Sequence, residues 1–236
     1  MKFKHFIWSP FNLSLYVHPI VKDHDAWMNH RIKLWKEYHL KSILRQDAEV
    51  TYVTFIDPNT KEEHKNAILG HIGENWRSGK VTLRGVILEN KLMFDRWFLD
   101  NLEEDVQIVI TTRLDNDDVL RSDFCRKVQA YFPMTNRPFP YAVNFPMGYG
   151  YDARSGEKTE IGPEISNPFN SIFNDLTDRN TKLFKSGHAE VAASVHTYQA
   201  FESQRMWCRV IHDRNESNKL IGKKIDKVSG DFGVGL

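Results

Sequence analysis

Apolar positions in the first 132 residues follow two alternating spacings. Val50–Ile56 (VTYVTFI) and 106–111 (VQIVIT) are short β-branched and aromatic runs, which are typical of buried strands. Over 25–46 the apolar residues recur at near-helical spacing, which predicts a helix. The same patterns predict strands at 6–16 and 81–88 and helices at 62–76, 91–102 and 122–132. This alternation predicts an α/β fold with a mainly parallel central sheet flanked by helices.

The pattern changes after residue 132. Prolines and glycines punctuate 133–168, where strand-like pieces occur at 141–145 and 158–161. They predict a loop-rich C-terminal half that contains an antiparallel hairpin. A last strand is predicted at 206–212, followed by a polar and basic tail. A chain of 236 residues suits one such α/β domain over 1–236.

Charge and composition narrow the function classes. Lys and Arg number 32 against 31 Asp and Glu, so no basic excess suggests nucleic-acid binding. No apolar run approaches the ~18 residues of a transmembrane helix, although a peripheral membrane contact stays compatible with the sequence. The first residues do not resemble a signal peptide, and the two cysteines form no disulfide framework. We therefore expect a cytoplasmic protein.

Three carboxylates, Asp115, Asp117 and Asp118, follow the strand predicted at 106–111. Like charges this close repel each other unless a cation or hydrogen-bond donors compensate. Mg²⁺ and Mn²⁺ prefer oxygen ligands, and open α/β sheets bind ligands beyond the carboxyl ends of their strands. The cluster therefore predicts a divalent-metal site; the alternative is a solvated turn in which Asp118 caps the next helix.

Two other acidic motifs have carboxylates at a comparable spacing. An EF-hand is excluded because Val119 and Leu120 stand where an oxygen ligand and a glycine are needed. A haloacid-dehalogenase-like phosphatase, with Asp115 as nucleophile and Asp117 as acid/base, fits the local pattern better. Against it, the cluster lies in mid-chain and has no evident downstream acidic pair. The phosphatase remains the alternative function.

Four ordered segments resemble one known family. The segment ITTRLDNDD at 110–118 resembles the acidic motif of GT-A glycosyltransferases, above all the TRLDxDD segment of the putative rhamnosyltransferase family. The segment 207–215 resembles that family's late W-x-x-V-x-H-x-x-N block. Trp27, Arg31 and 40–46 resemble its first helix, and 55–60 resembles its second strand and the following turn.

The resemblance implies a metal-dependent transfer of sugar from a nucleotide-diphosphate sugar to a hydroxyl acceptor such as a glycan or a lipid-linked saccharide. Residues 1–132 would bind nucleotide and metal, and residues 133–236 would bind the acceptor and supply a C-terminal lid. A divalent ion, Mn²⁺ or Mg²⁺, would stabilise the departing diphosphate. The implied metal ligands are Asp115, Asp117 and His212, and the implied nucleotide contacts are Asp57, Arg113, Asp115 and Lys219.

The remaining expectations concern the acceptor. An inverting transfer needs a base for the acceptor hydroxyl, and Glu190 and His188 are the candidates, with His196 as a third. Aromatic rings at 139–151 would suit a sugar platform or, equally, a packed hairpin. A non-catalytic nucleotide-sugar-binding protein is the remaining alternative function. The rhamnosyl label rests on the resemblance alone.

Overall fold

The computed structural model of the chain describes residues 2–13, 23–74, 79–88, 92–132, 139–176, 191, 193–213 and 219–236. Seven strands within these residues form the central sheet, in the order β10-β6-β9-β4-β1-β2-β3. They are β1 (Lys2–Pro10), β2 (Val50–Ile56), β3 (Val81–Ile87), β4 (Val106–Arg113), β6 (Tyr141–Asn144), β9 (Ser171–Asp175) and β10 (His196–Gln199). Strand β9 is antiparallel to both its neighbours, whereas every other pairing in this sheet is parallel. The predicted α/β class with a mainly parallel sheet is confirmed.

Apolar side chains cover both faces of this sheet. In β2, Tyr52 and Ile56 join the core on one face, and Val53 and Phe55 join the core on the other. All seven residues of β2 are buried. Strands buried on both faces read as continuous apolar runs, which explains the composition of VTYVTFI.

The helices lie close to their predicted positions. They are α1 (His24–Leu34), α2 (Leu40–Leu44), α3 (Glu62–Glu74), α4 (Leu92–Asp100) and α5 (Phe124–Gln129). A π-helical segment, Trp35–His39, joins α1 to α2, so these three pieces make up the helix predicted at 25–46. The Asp23 side chain caps α1 by accepting the Ala26 N–H at 2.9 Å.

A second sheet contains the expected antiparallel hairpin. Its order is β12-β8-β7-β11-β5, formed by β5 (Val119–Leu120), β7 (Gly148–Asp152), β8 (Lys158–Ile161), β11 (Trp207–Ile211) and β12 (Lys223–Ile225). The antiparallel hairpin is β7–β8, whereas the predicted strand at 141–145 is β6 of the central sheet. A short apolar run in the sequence indicates a strand, but it does not indicate which strand it pairs with, because pairing depends on distant residues.

The described tail also differs from expectation. The strand at Trp207–Ile211 is not the last, because β12 follows it and pairs with β8. Beyond β12, Val228 and Phe232 are buried against the second sheet. Cys125 and Cys208 are buried free thiols. None of the helices in the described part of the chain combines the length and apolar character that a membrane crossing demands.

Candidate functional site

The candidate site lies where three parallel strands end. Strand β1 pairs with β4 on one side and with β2 on the other, so the segments that follow these strands meet at one edge of the sheet. Residues 11–13, 57–60 and 114–118 are those segments. The sequence-predicted Asp57, Asp115 and Asp117 therefore share the carboxyl edge at which open α/β sheets bind ligands.

The turn after β2 is held by side-chain hydrogen bonds. The Asn12 side chain accepts the Asp57 N–H at 3.1 Å and donates to the Thr60 hydroxyl at 2.7 Å. The Asp57 carboxylate accepts the Asn59 N–H at 2.9 Å. Both Asn12 and Asp57 are buried. This turn therefore has a fixed shape, and Asp57 contributes to it through its own backbone and side chain.

The acidic turn is anchored to β1. The Asn116 amide donates to the Phe11 carbonyl at 2.9 Å, which ties the turn to the neighbouring strand end. The Asp115 carboxylate is half exposed and accepts from the Arg113 guanidinium at 3.0 Å. Among the carboxylates of this turn, Asp115 is the one that faces solvent, since Asp117 and Asp118 are buried.

Asp118 joins the two sheets and does not cap a helix. Its carboxylate accepts the Val210 N–H at 3.0 Å, whereas the N-cap position of α5 is Asp123. Burial raises the pKa of the Asp118 carboxyl well above its usual range, and the charges of Asp117 and Asp115 add to that rise. The alternative in which Asp118 caps the next helix is wrong, because β5 intervenes between the acidic turn and α5.

Asp117 contacts two side chains from distant parts of the sequence. The Arg31 guanidinium of α1 donates to Asp117 Oδ2, and His212 Nε2 lies 2.9 Å from the same oxygen. Burial alone would raise the pKa of Asp117, but the Arg31 charge and the His212 hydrogen bond outweigh it and hold that pKa well below its usual range. Asp117 is therefore a buried, ionised carboxylate.

The pairing of the second sheet explains why His212 reaches Asp117. Strand β5 directly follows the acidic turn and runs antiparallel to β11, with Val119 opposite Cys208. Continuing this register beyond β5 places Asp117 opposite Val210, two residues before His212. The structure thus brings together two of the predicted metal ligands, Asp117 and His212. The third, Asp115, contacts Arg113 instead.

His30 is a site residue that the sequence analysis missed. Its Nε2 lies 3.2 Å from His212 Nδ1 and 3.3 Å from Asp213 Oδ1. Within the described residues, His30, His212 and Asp213 form one of two groups of three ligand-type side chains whose donor atoms converge. The available signal was the position of His30 beside Arg31, in the helix that resembles the family.

The other predicted site residues lie elsewhere. Lys219 is exposed, and Glu190 and His188 fall outside the described residues. His196, the third candidate base, is exposed in β10. The rings of Tyr141, Phe145 and Tyr149 are buried in the core, which favours the packed alternative over the sugar platform for these three. They face the protein interior because β6 and β7 belong to sheets that are covered on that side.

Several solved structures are similar to this chain. The crystal structure of S. aureus TarS 1-349 is 13% identical, with a TM-score of 0.48, and the match covers 89% of this chain and 60% of that chain. A longer crystal structure of S. aureus TarS is 12% identical, with a TM-score of 0.47, and this chain matches 37% of its length. A transferase titled "putative nucleotide-diphospho-sugar transferase", from Desulfovibrio desulfuricans G20, is 11% identical, with a TM-score of 0.38 and coverage of 85% and 80%.

The sequence itself matches no curated protein. A family model described as "Putative rhamnosyl transferase" matches residues 21–224. That range includes the first helix, the acidic turn and His212. Because the match covers most of the chain, the chain belongs to this glycosyltransferase family.

Proposed function

We propose that the chain is a metal-dependent glycosyltransferase that moves a sugar from a nucleotide-diphosphate sugar to a hydroxyl acceptor. One observation carries the proposal. Asp57 and the acidic turn lie at the shared carboxyl edge of β1, β2 and β4, and His212 from the other half of the chain meets Asp117 there at 2.9 Å. Carboxylate and imidazole side chains at such an edge suit a metal-bound diphosphate.

Asp117 and His212 would hold the metal ion. The carboxylate oxygen and the imidazole nitrogen are donors that Mn²⁺ accepts, and they lie 2.9 Å apart. The Arg31 guanidinium, which donates to the same carboxylate oxygen, would give up that contact when the ion binds. When bound, the ion would offset the negative charge that develops on the departing diphosphate. Asp115 is half exposed and lies two residues before Asp117 in the sequence. It would be a third metal ligand or contact the ribose.

The rest of the donor would lie along the same edge. Asp57 would contact the nucleobase from the rigid turn after β2. Arg113 has a guanidinium that now contacts Asp115 at 3.0 Å, and it would pair with a phosphate. Lys219 would approach the phosphates as part of a C-terminal lid, consistent with its exposed position.

The acceptor would bind to the C-terminal half, from which a base takes the proton of its hydroxyl in an inverting reaction. Glu190 and His188 remain our candidates for that base. The phosphatase alternative needs Asp117 as a proton donor beside Asp115. No observation favours it, because Asp117 is buried and ion-paired with Arg31.

A thermal-shift panel tests the proposal. UDP, GDP, dTDP, CDP and inorganic phosphate are each added with and without Mn²⁺. A ligand at a hundredfold excess over its dissociation constant stabilises the native state by about 2.7 kcal/mol, which raises Tm by about 5 to 10 °C for a chain of this size. We expect such a shift with one nucleoside diphosphate and Mn²⁺, and its loss in Asp117→Ala.

Asp105→Ala is the matched control. Asp105 precedes β4 at the opposite end of the strand from the acidic turn, and its exposed ion pair with Lys2 contributes little to stability. This variant should keep the full shift. Hydrolysis of a simple phosphoester without any nucleotide shift would instead support the phosphatase. A nucleotide shift without turnover of any donor would support a binding protein.

A further inference from the structure

His212 has a different partner on each side of its ring. Nε2 lies 2.9 Å from Asp117 Oδ2, and Nδ1 lies 3.2 Å from His30 Nε2. The His212 side chain is 2% exposed, so water offers little alternative to these partners, whereas that of His30 is 26% exposed. A row of hydrogen bonds therefore runs from Asp117 through His212 to His30.

Proton positions along this row follow from donor and acceptor rules. An ionised carboxylate only accepts, so without metal the His212 Nε2 carries the proton and donates it to Asp117. Arg31 Nη1 lies 3.4 Å from the same nitrogen, which is too long to compete with the 2.9 Å contact. In neutral His212 the Nδ1 is then an acceptor, so His30 Nε2 carries a proton that it shares between this nitrogen and Asp213 Oδ1.

A metal ion on His212 Nε2 would replace its hydrogen bond to Asp117 and reverse its hydrogen bond with His30. The Nε2 lone pair would go to the metal, so the ring proton would move to Nδ1. His30 Nε2 would then accept that proton in a hydrogen bond, and the proton of His30 would move to its own Nδ1. Each ring exchanges one N–H for the other, so the number of protons is unchanged.

We propose that His30 is a positioning residue that holds the ring of His212 in the orientation needed for the metal, by donating to its Nδ1 in the metal-free site and accepting from its Nδ1 in the metal-bound site. The inference rests on the proposed metal role of His212. Histidine suits this task because one neutral ring can donate or accept at Nε2. Asp213, whose Oδ1 is 3.3 Å from His30 Nε2, has an exposed side chain that would turn to solvent when Nε2 accepts.

Three substitutions at position 30 separate this role from simple packing. His30→Gln supplies an amide that can donate or accept, His30→Lys supplies donors only, and His30→Leu supplies neither. The probe is Mn²⁺ alone, with the free ion measured by electron paramagnetic resonance. Loss of such an outer contact to a metal-ligating histidine typically weakens metal affinity roughly 10- to 100-fold. We expect that loss in the Leu and Lys variants and near-wild-type affinity in the Gln variant.

Equal Mn²⁺ affinity in His30→Leu and in the wild type would overturn the proposal. Asn29→Ala, a change at the exposed neighbour of His30 on α1, is the control and should not alter affinity. Circular dichroism melting confirms that each variant is folded. If Asp117→Asn and His212→Ala also leave Mn²⁺ affinity unchanged, the proposed metal site is wrong. If these two variants lose affinity and the His30 variants keep it, only the role of His30 is wrong.

Nuclear magnetic resonance of ¹⁵N-histidine-labelled protein reads the tautomer directly. With Zn²⁺ as a diamagnetic probe ion that imidazole readily binds, the His212 ring should carry its proton on Nδ1 in the wild type and on Nε2 when the ion is removed. His212→Asn assigns the signal. At an ion concentration that is about ten times the wild-type dissociation constant, a roughly 10- to 100-fold weaker affinity leaves His30→Leu at most about half occupied, so its Nδ1–H form should no longer dominate. A proportion of Nδ1–H form in His30→Leu equal to that of the wild type at this concentration would contradict the proposal.

Discussion

The three carboxylates of the acidic turn have different roles. Asp115 is half exposed, Asp117 contacts Arg31 and His212, and Asp118 binds the Val210 N–H between the two sheets. The sequence places three like charges together, and the structure separates them by giving each its own partner. The acidic motif therefore combines candidate ligands with a structural residue.

Asp118→Asn should be tolerated, whereas Asp118→Ala should not. Asparagine keeps an oxygen that accepts the Val210 N–H, whereas alanine removes this hydrogen bond from a buried position. Such a loss costs about 1–3 kcal/mol of unfolding free energy. Urea denaturation at pH 7 measures both variants. Equal stabilities for the two would show that the Val210 contact contributes nothing.

His212 and His30 illustrate which site residues a sequence can reveal. His212 was found because it stands at the end of a strand within a recognisable block. His30 lies in a helix, where one histidine among polar neighbours carries no signal of its own. Its role depends on how α1 packs against the end of β11, which no local pattern specifies.

At the scale of elements, β7 and β11 approach closely because Gly148 has no side chain. A Cβ at Gly148 would lie 2.2 Å from the indole of Trp207. Trp207 is fully buried, stacks on Phe169 at 4.5 Å and donates its indole N–H to the Phe145 carbonyl at 2.7 Å. The indole therefore has no room to move away.

Gly148→Ala should destabilise the protein by about 1–3 kcal/mol, the usual cost of an overpacked core. Gly70→Ala in α3 is the matched control, because nothing lies within 4 Å of its Cβ position. Alanine favours a helix over glycine by up to about 1 kcal/mol, so this variant should be slightly more stable. Thermal unfolding of both variants measures the difference. A Gly148→Ala protein as stable as the wild type would show that Trp207 can shift.

The π-helical segment places His39 in the core. Its Nδ1 donates to the Asp118 carbonyl at 3.0 Å, and its Nε2 accepts from the Tyr52 hydroxyl at 3.1 Å. His39 therefore connects the first helix to β2 and to the acidic turn. These contacts require the neutral ring, and burial lowers the pKa of His39 to about 4.

The free energy of unfolding should begin to fall at pH values well above those at which ordinary carboxyl groups titrate. Burial also lowers the pKa of His5 to about 3. Both histidines take up a proton at pH 6.5 in the unfolded chain but only near pH 3 to 4 in the fold. The stability that the two neutral histidines contribute is therefore fully present above pH 6.5. It is lost as the pH falls from 6.5 toward the folded-state pKa values of about 4 and about 3.

At pH 5 each histidine should account for about 2 kcal/mol of lost stability. Urea denaturation between pH 7.5 and pH 5 measures this slope. His39→Gln keeps a donor and an acceptor, so it should lower stability at pH 7.5 only modestly. It should reduce the loss of unfolding free energy between pH 7.5 and pH 5 by about half, because only His5 then contributes to that loss. A slope unchanged in this variant would mean that His39 is not the residue responsible.

The sequence by itself determined the α/β class, the strands and helices of the first half, and the acidic turn after β4. These features depend on short-range patterns: apolar spacing sets the elements, and an apolar run followed by clustered carboxylates marks a strand end. It did not determine that β6 joins the central sheet, that β7 pairs with β8, or that β12 follows β11. Strand pairing depends on contacts between apolar faces that are distant in the sequence, and the local sequence around a residue does not specify those contacts. Only the tertiary structure brought Arg31, Asp117, His212 and His30 together, because α1, the turn after β4 and the end of β11 converge through the pairing of two separate sheets.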